Sequence, residues 1–108
     1  MFKEDFPIVN FYTEPDIAVI EKLEQTFEMF INYKQFRIII DFKTVKKIPA
    51  RLGGTIVKLN SMMERHNGKV VISAKDEGLF RQLKNDSFID KIGVFSELDN
   101  AFEKIKTF

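Results

Sequence analysis

Residues 36–63, FRIIIDFKTVKKIPARLGGTIVKLNSMM, decide how this chain is read. The first seven are almost continuous apolar sequence rich in isoleucine, as expected of a strand covered on both faces. After a polar loop, Leu52, Ile56, Leu59, Met62 and Met63 recur at helical spacing. A buried strand that runs through a loop into a helix is the unit of an α/β sheet, where ligands and partners are met at the carboxyl ends of the strands. Residues 43–55 are therefore the first place to look for function.

The flanking sequence repeats the unit. Residues 7–12 form a short β-prone run, and Phe2 and Phe6 before it either add an edge strand or fray. Thr13-Glu14-Pro15-Asp16 reads as a helix start capped by the threonine. Ile17, Ile20, Leu23, Phe27, Phe30 and Ile31 then lie on one helical face. The second helix is expected to stop near His66-Asn67-Gly68, with the glycine in a left-handed terminus, and residues 69–74 (KVVISA) are the next strand. A short helix over 77–84, a β-prone run over 88–95 broken by Gly93, and a last helix capped by Ser96-Glu97-Leu98-Asp99 complete the chain. The alternation predicts one α/β domain over residues 1–108. Its sheet is mainly parallel or mixed, of four to five strands with about four helices, joined by right-handed crossovers.

Composition narrows the function. A chain of 108 residues with 44% hydrophobic and 31% charged residues has enough core to fold without a disulfide or a metal. No cysteine is present, which removes thiol chemistry and cysteine metal sites, and His66 is the lone histidine. A net charge of +1 lacks the strongly basic footprint of a nucleic-acid surface. The N-terminal MFKEDFPIVN has no long apolar run, and no segment is apolar enough to span a bilayer. The expectation is a cytoplasmic protein with no nucleic-acid or membrane partner and no cofactor.

The order of these features is similar to the STAS family, the anti-sigma factor antagonists and related domains with the SpoIIAA-like fold. The resemblance rests on Asp41, Val45 and Ile48 after the central strand, Gly54 in the next helix, Asn67-Gly68 and the KVVIS strand. Its most specific part is VVISAKDEGLFRQLKNDSFIDKIGVFSELDNAF. It implies a non-enzymatic bacterial regulator of transcription that docks an anti-sigma factor or a serine kinase of the GHKL type; it leaves a homodimer open. In the family the loop after the central strand carries a serine that the partner kinase phosphorylates. That place is held here by Ala50, within Pro49, Ala50, Arg51, Leu52, Gly53 and Gly54, of which only the last glycine matches the pattern. Without a hydroxyl at Ala50, phosphorylation cannot occur at that position.

The residues of the loop carry a reading of their own. Lys43, Lys46, Lys47 and Arg51 surround a helix start whose first amides Pro49 and Ala50 cannot cap, an arrangement that favours an acidic group of a partner. With Thr55 and Lys58 they outline a partner-binding patch of Lys43, Lys46, Lys47, Pro49, Ala50, Arg51, Gly54, Thr55 and Lys58. The bland alternative is a solvated rim of lysines. Gly53-Gly54 lacks the rest of a P-loop and is expected to serve close packing of helix on strand. Asp41, with Glu14, Asp16 and Lys75, faintly suggests a receiver-type phosphoacceptor site. It is better used in hydrogen bonds to the loop amides. His66 reads as a helix-end residue rather than a base, and Met29, Met62 and Met63 as core filler. Two other functions stay open: a carrier or sensor of a small apolar ligand, suggested by twelve phenylalanines, and a switch phosphorylated at Thr44, Thr55 or Ser61.

Overall fold

A computed structural model describes residues 2–3 and 6–108. Strands β1 (Phe2–Lys3), β2 (Phe6–Phe11), β3 (Arg37–Phe42), β4 (Lys69–Ala74) and β5 (Val94–Phe95) form one sheet in the order β1-β2-β3-β4-β5. β2 to β5 are parallel, and β1 pairs antiparallel with β2 at the edge. Of the two expectations for Phe2, the edge strand is the one observed; Met1, Glu4 and Asp5 lie outside the described residues.

β3 is the central strand, and its burial explains its composition. Ile38, Ile40 and Phe42 face a large core built with helices α1 (Ile17–Asn32), α2 (Ala50–Glu64), α3 (Glu77–Asn85) and α4 (Ser87–Ile92). Ile39 faces the opposite side, where it joins Ile8 and Val71 under Ala101, Phe102 and Ile105 of helix α5 (Leu98–Lys106). A strand apolar on both faces can only be satisfied in such a three-layer arrangement. Four helices crowd one face and a single helix covers the other.

Several local expectations are corrected. Among the described residues there are five helices, and one of them is a correction: residues 88–92, read as part of a β-prone run, lie in α4. Asp86 decides this by accepting hydrogen bonds from the Phe88 and Ile89 amides at 2.9 and 3.2 Å, an N-cap that starts a helix where apolar content alone fits a strand. Helix α1 is capped by Asp16, whose carboxylate accepts from the Val19 amide at 2.9 Å, and not by Thr13. Helix α5 begins after Glu97, with no side-chain cap from Ser96. The left-handed residue after α2 is Asn67 (φ 60°), not Gly68. Gly68 is required for another reason: a β-carbon there would lie 2.0 Å from the Phe36 carbonyl oxygen. Ile17 and Met29, expected inside, are 58% and 47% exposed.

Candidate functional site

The loop from β3 to α2 is held at three points. The Lys43 amide donates to the Phe11 carbonyl at 2.9 Å, continuing the β2–β3 ladder. Val45 and Ile48 then sink into the core, and the Gln82 side-chain amide donates to the Ile48 carbonyl at 3.2 Å. With both ends pinned, Lys46 and Lys47 between them are left in solvent. Pro49 occupies the N-cap position of α2 in extended geometry (φ −70°, ψ 150°) and gives no side-chain hydrogen bond; no acidic residue stands in the first turn. The Leu52 amide turns back to the Pro49 carbonyl at 3.0 Å, and no side chain caps the amides before it, so the helix start keeps its partial positive charge on the same loop as the two lysines.

From this start α2 shows solvent one ridge, Ala50, Gly54, Lys58 and Ser61, spaced by three and four residues so that they line up along the helix. Arg51 and Lys58 lean toward α1, with Arg51 Nη2 at 4.0 Å from Glu21 and Lys58 Nζ at 3.6 Å from Glu24. Pairs this exposed are weak and easily exchanged for a partner's carboxylates. The two glycines differ in role, and neither follows the expected packing of helix on strand. A β-carbon on Gly53 would come within 3.2 Å of Ile89 on α4, whereas one on Gly54 would meet nothing within 4 Å. Gly54 thus leaves the middle of the ridge bare.

Apolar side chains stand on both sides of the ridge. On one side Phe88 of α4, 68% exposed, borders a notch of about 260 Å³ with Gly53, Gly54, Val57 and Asp86. On the other, Ile17 borders a hollow of about 470 Å³ with Pro15, Pro49 and Arg51. Neither Phe88 nor Ile17 is in the sequence-derived patch. The Asp86-Ser87-Phe88 cap signal, read as a helix start, would have exposed the first.

Two residues of that patch lie elsewhere. Thr55 is 7% exposed and points into the fold, so its hydroxyl is closed to a kinase; Thr44 and Ser61 are exposed. Lys43 belongs to the α5 side of the sheet, where its Nζ lies 2.9 Å from Asp41. Asp41, itself 5% exposed, also accepts a 2.7 Å hydrogen bond from the Ser73 hydroxyl. It holds these two side chains rather than the loop amides. The Asp41 hydrogen bond holds the Lys43 ammonium above its ordinary range, against a smaller opposing effect of burial. Asn10, Asp41 and Ser73 are register neighbours across β2, β3 and β4, and the Asn10 Oδ1 is buried without a partner among the described residues. Together Asp41, Lys43, Ser73 and Lys75 line a hollow of about 340 Å³ beneath the start of α5.

The His66 ring stacks on Phe36 at 4.6 Å and 5°, at the far end of α2 from the loop. Among the described residues no group of three His, Asp or Glu side chains is placed to hold a metal, and no helix is long and apolar enough to cross a membrane.

No family model and no curated protein matches the chain. Solved structures do. A crystal structure of TM1081 from Thermotoga maritima, a candidate anti-sigma factor antagonist, aligns at a TM-score of 0.76 with 18% identity, over 92% of this chain and 87% of that one. The NMR structure of TM1081 aligns at 0.81 with 17% identity, over 99% and 87%. The fold is STAS-like. A crystal structure of a sulfate transporter family protein from Wolinella succinogenes gives 0.80 with 18% identity, over 99% of this chain and 89% of that one. The STAS-like fold carries the loop and the α2 ridge described above at the carboxyl end of its central strand.

Proposed function

We propose that the chain is a non-enzymatic, cytoplasmic, protein-binding regulator that docks an anti-sigma factor or a GHKL-type serine kinase. The docking face comprises Lys46, Lys47, Pro49, Ala50, Arg51, Gly54 and Lys58. The observation that carries this is the bare, uncapped start of α2 with its exposed ridge, standing on a STAS-like fold. Lys43 and Thr55 drop out of the patch by their placement. In the family this surface is switched by a phosphate at the position of Ala50, where a dianion opposes docking. Ala50 keeps the surface in its unphosphorylated, binding-competent form. A pull-down from the native cytoplasm with the tagged chain tests the proposal. Recovery of an anti-sigma factor or such a kinase supports it, and recovery of neither counts against it.

A second reading has its own observation. Ile8, Val9, Met29, Phe30 and Tyr33 line a mainly apolar groove of about 670 Å³ between β2 and the end of α1, of a size that holds a small apolar ligand. Native mass spectrometry of the purified chain separates the two: a copurifying small molecule favours the carrier, and a bare polypeptide mass disfavours it.

A further inference from the structure

At the amino end of the sheet, opposite the docking loop, three cations converge from three elements. Arg37 and Lys69 open β3 and β4 as direct register partners, and both are half-buried. Lys104 approaches from the last turn of α5 and acts electrostatically on Lys69. The Phe108 ring covers the pair, with its centroid 6.0 Å from Arg37 Cζ and 6.0 Å from Lys69 Nζ. Among the described residues no carboxylate forms a salt bridge with any of the three; Glu64, at the end of α2, acts on Lys69 through space and opposes Lys104.

We infer that Lys69 is a preferred acylation site for small anionic acyl donors of the acyl phosphate class. Arg37, the register partner that shares the Phe108 ring with Lys69, and Lys104 add positive charge on this side of the sheet, which draws a phosphate toward the amine. The same setting prepares the nucleophile. Burial pushes the Lys69 ammonium below its ordinary range, against the attraction of Glu64 and with a smaller push from Lys104, so more of it is the neutral amine at a given pH. After its proton passes to solvent, the Nζ lone pair attacks the acyl carbon. The N–C bond forms, the C–O bond to phosphorus breaks, inorganic phosphate leaves, and the second amine proton goes to solvent. The product is a neutral amide that removes one of three crowded positive charges.

The test uses the intact folded chain and acetyl phosphate, with site-resolved mass spectrometry of the rate at each lysine. Lys69 is expected to react several-fold faster than the exposed Lys22. Arg37→Gln and Lys104→Gln are each expected to slow Lys69 by about threefold or more while leaving Lys22 unchanged. Acetic anhydride, which carries no phosphate, is expected to show a smaller effect of Arg37→Gln. Circular dichroism confirms that the variants fold. Lys69 reacting no faster than Lys22, or at the same rate in both charge variants, would overturn the inference.

Discussion

The Asp41 carboxylate, on the central strand, accepts a 2.7 Å hydrogen bond from the buried hydroxyl of Ser73 on β4. A charge this deep is tolerated only while its partners are in place. Ser73→Ala removes one of them, and an expected loss of about 1.5–3 kcal/mol follows from the worth of a hydrogen bond to a charged group. Urea unfolding monitored by circular dichroism measures it.

The two shifted lysines act on stability in opposite senses. Lys43 has a raised folded-state value, so its contribution is fully present below the ordinary 10.5 and is lost as pH rises through the raised value. Lys69 has a lowered one, so the unfolded chain binds the extra proton between that value and 10.5. Its penalty is therefore present at lower pH and is relieved as pH climbs through that window. Lys69→Met is expected to raise the melting temperature slightly at neutral pH and to remove this part of the alkaline rise. A variant whose pH profile parallels the parent chain would count against the assignment.

Gly68 and Asn67 should respond unequally to substitution. Gly68→Ala forces a β-carbon against the Phe36 carbonyl oxygen, and a loss of more than about 2 kcal/mol is expected from strain in a packed turn. Asn67→Gly keeps the left-handed backbone and should change stability by only about 0.5 kcal/mol. Thermal melts of the two variants decide this, and equal effects would refute it.

Much of the frame was legible because burial writes itself into composition. The isoleucine run of β3 announced a strand covered on both faces, and the three- and four-residue steps in α1 and α2 announced helices on a sheet. The misreadings share a cause: local patterns are ambiguous where tertiary contacts choose. Residues 88–92 are apolar enough for a strand, and the Asp86 cap tips them into a helix. Gly68 sits at a helix end where a left-handed glycine is expected, but the close pass of Phe36 is a long-range contact that no local pattern contains. The placement of Lys43 on the α5 side follows from the face that Asp41 takes on β3, and a strand apolar on both sides gives no alternation to read. Phe88 escaped the candidate site for the same reason that α4 did.

Gly54 separates packing from docking. With nothing within 4 Å of an added β-carbon, Gly54→Ala should stabilise the exposed helix by about 0.5–1 kcal/mol through helix propensity. If the bare ridge is the docking face, a bulkier Gly54→Gln keeps the helix yet weakens partner binding. Unfolding curves and titration calorimetry on the same samples read the two effects apart, and a Gln variant that binds like the parent chain would exclude Gly54 from the interface.

The central claim is that the loop and the start of α2 are the surface that meets an anti-sigma partner. Its most direct test is calorimetric titration of the partner kinase recovered from the native cytoplasm with the parent chain, Ala50→Glu and Arg51→Glu. Each variant places a carboxylate where the account requires cations and open amides, and the expected loss of affinity is about tenfold or more, as for a charge reversal in a docking site. Affinity unchanged in both variants would contradict the account and remove the loop from the interface.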